Sequence, residues 1–463
     1  MLRISSPLAR PGRRDFLRIG SLALGGLSLP QLLATQAAGA SNPLTTGKSV
    51  IFLFQHGGPS QIETFDPKMT APLGIRSATG ELQTTLPGVT FGGTLPKLSQ
   101  LAHKFSIVRS FTTGDGNHDI KPIVGRDSGG ANLGSLYSRV VGANHPLTGM
   151  PSTAVLYPRA VQSDAIPPVR DFGNFEATGA IGAGSAPFVP GAGGDLQRDM
   201  ELSLSHDRLG DRRALLSELD RLRFQLDGPG RVEGLNKLRE QAFSTIVGGV
   251  AGAFDLSKED PAVIARYDTA PLFPPEYFSK RWNNWQHYVD NARTLGRLLL
   301  LARRLCERGC GFVTVTTGFI WDNHSDINNA GAEEGMRYCG YPFDHAVSAF
   351  IEDCEAQGLS DKIMLVCCGE MGRTPRINAN GGRDHWGGLA PLMVYGGRTK
   401  AGQVIGQSTR DAGEPSSSPQ RIPNLVATIM HSLLDVGELR VTRGVPNEVL
   451  RAATAAEPIP GLI

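Results

Sequence analysis

Five short segments of the sequence cluster groups able to hold a metal or an anion, and four of them bring imidazole and carboxylate together. They are Asp322, His324 and Asp326 in "WDNHSD", Asp115, His118 and Asp119 in "GDGNHD", Asp384 and His385 in "GRDHWGG", Glu370 with Arg373 in "CCGEMGR", and His56, Glu63 and Asp66 in "QHGGPSQIETFD". Such donors suit zinc, manganese or iron, and the oxygen-rich end of the set suits magnesium or calcium. The expected cofactor is therefore a divalent metal, zinc first, with manganese, magnesium or calcium as alternatives. The ligands the sequence nominates are His56, Asp322, His324, Glu370, Asp384 and His385. Asp322 and His324 stand two residues apart, so an extended backbone puts both on one side. Asp326 either joins them through a turn or closes that turn with its own side chain. Asp384 and His385 are neighbours and reach one ion only if the chain bends, which Gly381, Gly382, Gly387 and Gly388 permit. Plainer roles compete: a loop hydrogen bond for His56, an ion pair with Arg373 for Glu370.

Groups able to act on a substrate sit in the same segments. Ser60, Thr112 and Thr113 are hydroxyls at glycine-rich turns, His118 follows closely, and Arg126, Arg373 and Arg383 offer paired donors for an oxyanion. A hydroxyl on a metal loses its proton more readily and can attack phosphorus or sulfur, and an activated water does the same without a covalent step. The catalytic candidates are Thr112, Thr113, His118 and Arg373. His103 and His431 fall among apolar helical residues and read as structural, as do His145, His206 and His287.

The elements that must position these groups follow from hydrophobic patterning. Short apolar runs at 49–54, 105–110, "STAVLY", "GFVTVTT", "KIMLVCC" and "LAPLMVYGG" read as strands. Between them, "LPKLSQLAH", "ANLGSLYSRVVG", "NARTLGRLLLLARRLCERG", "YPFDHAVSAFIEDCEAQG" and "IPNLVATIMHSLL" carry helical spacing. Alternating helix and strand predicts an α/β sheet covered on both faces, with the site in the loops beyond the strands' carboxyl ends. A Gly/Pro/Ala-rich loop is expected at about 166–194 and a helical insertion at about 196–290. No glycine pattern of a nucleotide-binding loop is present.

The chain opens with Arg13 and Arg14 ahead of a short, glycine-rich apolar stretch and the small-residue segment "AAGAS". That is the pattern of a twin-arginine export signal over residues 1–40, and it predicts a periplasmic or extracellular protein that meets the twin-arginine machinery. The first 40 residues hold five arginines and one aspartate, so removing them takes the net charge from +2 to −2. No basic tract remains for nucleic acid, and no later segment is apolar enough to span a membrane. Six cysteines are too few for a disulfide framework. Cys306 and Cys310 are read as free and buried rather than paired.

The segments "RRDFLRIG", "GGPSQIETFDPK", "ARRLCERGCGFVTVTTGFIWDNHSDI", "GEMGRTPRI", "GRDHWGG" and "GGRTKAGQVIGQSTRDAG" together resemble the sulfatase-like bacterial family catalogued as domain of unknown function 1501. The resemblance runs over about residues 12–440. It implies membership of the alkaline phosphatase/sulfatase superfamily, with a three-layer α/β/α fold, a central mostly parallel sheet and a metal site at strand ends. Asp322 and His324 match the family's Trp-Asp-x-His segment, Glu370 and Arg373 its Gly-Glu-x-Gly-Arg-Thr-Pro segment, and Asp384 and His385 its Gly-Arg-Asp-His segment. Two departures from the wider superfamily stand out: His56 where an early metal-binding aspartate is usual, and Glu370 where an aspartate-histidine pair is usual. The Cys-x-Pro-x-Arg pattern that sulfatases convert to formylglycine is absent. The expected activity is hydrolysis of a phosphate or sulfate ester, small or on a polysaccharide. The alternatives are a non-catalytic envelope protein and a phosphoryl-type transferase or isomerase.

Overall fold

Val50 to Phe54 are apolar at every position, the pattern of a strand buried on both faces, and Ser49–Phe54 forms the central strand of the main sheet. The computed structural model describes residues 42–146, 148–191 and 250–463. We number the main-sheet strands β1 (Ser49–Phe54), β2 (Phe105–Val108), β3 (Thr153–Leu156), β4 (Phe312–Thr316), β5 (Ile363–Cys368), β6 (Leu392–Gly396) and β7 (Val404–Ile405). They form a seven-stranded sheet in the order β7-β2-β6-β5-β1-β4-β3. β1 runs parallel to both β4 and β5, so Phe54 lies beside Thr316 on one side and Cys368 on the other. β3 and β7 also pair in parallel, with β4 and β2 respectively. The expected mostly parallel sheet is interrupted by β6, which is antiparallel to β2 and β5.

Among the described residues, the longer helices that cover the two faces are α1 (Leu133–Val141), α2 (Trp285–Glu307), α3 (Ala332–Ala356), α4 (Ile422–Leu433) and α5 (Asn447–Thr454). Leu298, Leu301, Phe343 and Phe350 of α2 and α3 pack with Ile51, Leu53, Val313 and Leu365 of the sheet. Leu136, Leu425, Ile429 and Val449 of α1, α4 and α5 pack with Val50, Phe52, Phe312 and Val366. Alternate strand residues thus enter opposite cores, and adjacent Cys367 and Cys368 are divided between them. Burying a side chain of this size on each face contributes about 1.5–3 kcal/mol.

One helix boundary differs from the sequence reading. α3 begins at Ala332 instead of Tyr341, with Pro342 inside it. A proline removes a helix hydrogen bond, but buried Met336, Tyr338 and Cys339 hold the preceding turns against the core. The expected insertion lies outside the described residues up to 249, and residues 250–284 carry short helical pieces such as Ala251–Phe254 and Pro261–Tyr267. Cys306 and Cys310 are free. Among the described residues no helix is long and apolar enough to cross a membrane.

Candidate metal centre

The carboxyl ends of β1, β4 and β5 lie side by side, and the tails that leave them are stitched together through Gly57. Gly57 and Gly58 have φ of 110° and 86°, in the left-handed region that favours glycine. A Cβ on Gly57 would lie 2.5 Å from the backbone nitrogen of Asp322. That close approach lets Trp321 N–H donate to the His56 carbonyl at 3.1 Å, while Gly57 N–H donates to Glu370 Oε1 at 3.0 Å.

Asp322, 3% exposed, is the hub. On its Oδ1 converge Arg373 Nη2 at 2.6 Å, His385 Nε2 at 3.3 Å and His118 Nε2 at 3.5 Å. On its Oδ2 sit His324 Nε2 and Asn329 Nδ2, both at 2.9 Å. His118, Asp322 and His385 each present a ligand atom, all within 4.8 Å of one another. Glu370 Oε1 accepts from His118 Nδ1 at 3.0 Å, which turns Nε2 toward Asp322. The Arg373 guanidinium reaches the cluster because Arg373 and His385 are opposed in a two-stranded ribbon, Gly372–Arg373 with His385–Trp386.

The charges shape the titrations. Burial alone would raise the Asp322 carboxyl, but Arg373 and the three imidazoles hold it far below the usual carboxylate range. Burial alone would lower His118, yet the carboxylates of Asp322 and Glu370 outweigh it and raise the imidazole above its ordinary value. His324 is raised by its hydrogen bond to Asp322. Burial lowers His56.

Of the residues nominated as ligands, Asp322 and His385 belong to the three-residue cluster, and His324 and Glu370 bond to its members. His56 stands apart. Its ring meets Phe319, Phe172, Phe175 and Phe54 edge-on at centroid distances of 4.9, 5.6, 6.1 and 5.6 Å, and its Nε2 has no hydrogen-bond partner among the described residues. Asp384 is also outside: exposed, it accepts from Asn378 Nδ2 at 2.9 Å, because neighbouring strand residues point to opposite faces. Asp326 closes a turn, accepting from Asn328 N and Asn329 N at 2.8 and 2.6 Å.

The catalytic candidates are rearranged. His118 joins Asp322 and His385 in the group that could hold a metal ion. Arg373 is fully buried, and its donors are used on Asp322 and the carbonyls of Gly57, Gly58 and Arg383, so it ties the loops together around Asp322. Arg383 likewise binds Glu63 Oε1 at 2.8 Å and four backbone carbonyls. Arg126 is exposed on a short 3-10 turn. The Thr113 hydroxyl is turned to the Asp115 carbonyl at 3.5 Å, and Thr112 lines a cavity beside His385. Ser60 Oγ accepts from Glu63 N at 3.2 Å, closing a turn. His103 and His431 bond Thr85 Oγ1 and the Ala453 carbonyl, as structural histidines do.

Sequence reasoning missed Asn329 and the aromatic wall. Asn329 lies in "INNAG" with no spacing signal, although its position seven residues after Asp322 allows a turn to fold it back. Phe172 and Phe319 stack at 4.8 Å and both contact the His118 ring, and Phe172 lies in a loop without periodicity.

An α/β/α sandwich whose central strand ends carry clustered imidazole and carboxylate defines a class: an α/β scaffold with a metal-capable centre. The model of the family described as "Protein of unknown function (DUF1501)" matches residues 47–452, and the chain belongs to that family. No curated protein matches the chain. Among solved structures, the PsFucS1 sulfatase from Pseudoalteromonas sp. is similar at 12% identity and a TM-score of 0.37, covering 86% of this chain and 69% of that one. The BT33494S-sulf structure, described under glycosaminoglycan metabolism by Bacteroides thetaiotaomicron, is 9% identical with a TM-score of 0.35, covering 87% and 74%. The lipoteichoic acid synthase LtaP from Listeria monocytogenes is 7% identical with a TM-score of 0.31, covering 88% and 76%. At such identities the chemistry of this site rests on its own residues.

Proposed function

We propose that the protein is an exported, metal-dependent hydrolase of a phosphate or sulfate ester, with phosphate favoured. The observation that carries this reading is the convergence of two imidazole nitrogens, from His118 and His385, on one carboxylate oxygen of Asp322. Two nitrogens and a carboxylate favour zinc over magnesium or calcium, with manganese next. A divalent ion held by these three residues would supply charge neutralisation at the ester oxygens and a lowered water pKa. Glu370 fixes the His118 tautomer, while Asn329 and Arg373 fix the Asp322 carboxylate. Phosphate is favoured because no cysteine lies in the pattern that yields formylglycine, and all six thiols are buried.

Elemental analysis of the purified full chain, alongside turnover of an aryl phosphate and an aryl sulfate, tests the proposal. Stoichiometric zinc and aryl phosphate turnover are expected, both lost when His118 and His385 are changed to alanine together. Folded, metal-free, inactive protein would sink it. One observation favours a second reading, a non-catalytic envelope protein: the Arg373 guanidinium neutralises Asp322 without any ion. That reading expects an unchanged melting temperature after chelation.

Export by the twin-arginine route, and so a periplasmic or extracellular location, belongs to the same proposal. It rests on Arg13 and Arg14. Changing both to lysine is expected to leave the protein in the cytoplasm, as cell fractionation would show. Unaltered export of that variant would overturn the route.

A further inference from the structure

His385 has two neighbourhoods. Its Nε2 faces Asp322, while the residue also forms part of the wall of an open cavity of about 600 Å³. That volume lies within the usual 300–1,000 Å³ of small-molecule sites. The remaining wall has a definite chemistry. Trp386 is half-buried, and its indole Nε1–H donates to the Gly413 carbonyl at 2.6 Å, which fixes the ring against the wall. Glu414 and Arg421 are exposed at the rim, with Asp115 also contributing. The floor is peptide backbone at Gly387 and Gly388, where side chains are excluded: a Cβ would lie 2.4 Å from Asp115 N at the first and 2.6 Å from the Trp386 indole nitrogen at the second.

We propose that this cavity receives the alcohol portion of the ester and that this portion is an uncharged saccharide. The proposal rests on the hydrolase reading for its place beside the ester, but not for the binding itself. A fixed indole beside a backbone floor suits the flat apolar face of a sugar ring. Carboxylate and guanidinium at the rim suit the vicinal hydroxyls of the same ring, since each offers two parallel hydrogen-bonding positions. The charges decide against a polyanionic chain. Asp115 and Glu414 oppose Arg421, so the wall has no excess of positive charge to draw in repeated sulfates or phosphates. A planar base would stack on Trp386 equally well, yet a nucleotide's further phosphates would meet the two carboxylates.

Saturation-transfer NMR and calorimetry on the full chain, with neutral cello-, manno- and galacto-oligosaccharides as probes and heparin as the polyanionic control, test this. At least one neutral oligosaccharide is expected to bind both before and after chelation of metal. Its affinity should fall about tenfold in Trp386→Ala, an amount in keeping with loss of one aromatic contact. It should also fall in the double variant Glu414→Gln, Arg421→Met, whose altered side chains are exposed and leave the fold intact. Absence of binding by every neutral probe, preference for heparin, or binding indifferent to both variants would overturn the proposal. Turnover of an aryl phosphate with no saccharide binding leaves the hydrolase and removes the saccharide. Saccharide binding by a metal-free, inactive protein does the reverse.

Discussion

The tail of β1 and the tail of β4 carry similar residues and put them to different use. Both follow a central strand, and both hold a histidine with two carboxylates. After β1, Glu63 is 1% exposed and saturated by fixed donors: Arg383 Nη2 at 2.8 Å, Ser77 Oγ at 2.7 Å and the Ala78 amide at 3.0 Å. Asp66 pairs with Lys68 at 3.1 Å and Arg109 at 3.7 Å. After β4, Asp322 has one guanidinium and three imidazoles around it. Guanidinium and amide donors cannot give up a proton in ordinary conditions, whereas an imidazole can become a metal ligand by losing one. Carboxylate density therefore marks a strand tail, and the partner of the carboxylate marks its use.

The sharpest way to break this comparison is to remove the fixed donor. Arg383→Met leaves Glu63 buried without its counter-charge and is expected to cost about 3–5 kcal/mol of folding stability. Denaturant titration would read this, and the molecules that remain folded should still bind zinc. His385→Ala acts in the opposite way. It should weaken zinc binding by more than the roughly 10–100-fold typical of residues one step removed from a metal, while chelated protein melts nearly as before. Competition with a chromophoric chelator would measure it.

A smaller effect comes from pH. In the metal-free protein His118 and His324 have folded pKa values raised above 6.5, so their contribution to stability is full below 6.5 and is lost as pH rises through the raised values. Zinc requires the same imidazoles without the proton, so the zinc-loaded protein should lose stability as pH falls. Melting temperatures of stripped and loaded protein are expected to slope in opposite directions around that pH. Parallel slopes would remove these histidines from any metal site. The smallest change is Asp326→Ala, which removes the three hydrogen bonds that the carboxylate accepts in a half-buried turn, from Asn328 N, Asn328 Nδ2 and Asn329 N. It should cost about 1–2 kcal/mol in stability and leave zinc affinity unaltered.

The sheet was legible because β1 and β5 are uninterrupted apolar runs, which admit few other readings at that length. The start of α3 was not legible, since Pro342 looks like a boundary and only the packing of Met336 and Tyr338 outweighs it. In the site, Asp322 and His385 stood out by company and spacing. His118 was visible as a histidine near hydroxyls, but its role depends on a loop folding across to Gly387, where Thr113 N and Gly114 N donate at 3.2 and 3.0 Å. The position of Asp384 outside the cluster was not legible, because the ribbon pairing of His385 with Arg373, which sends its neighbour outward, has no signature in the local sequence. The surroundings of His56 were hidden for a related reason: the four phenylalanines around it come from three separate segments.

The six cysteines bear on when this chain can fold. Every thiol is buried, and those of Cys310 and Cys339 are pushed up to about 12 by burial, so thiolate is scarce even in alkali. Before folding, the same six groups are open to oxidation and to mispairing in any order. Once the core has closed around them, an oxidant outside the protein finds little thiol surface, Cys306 at 8% exposure being the most open. A chain built this way gains from completing its fold in a reducing environment, and afterwards it tolerates an oxidising one.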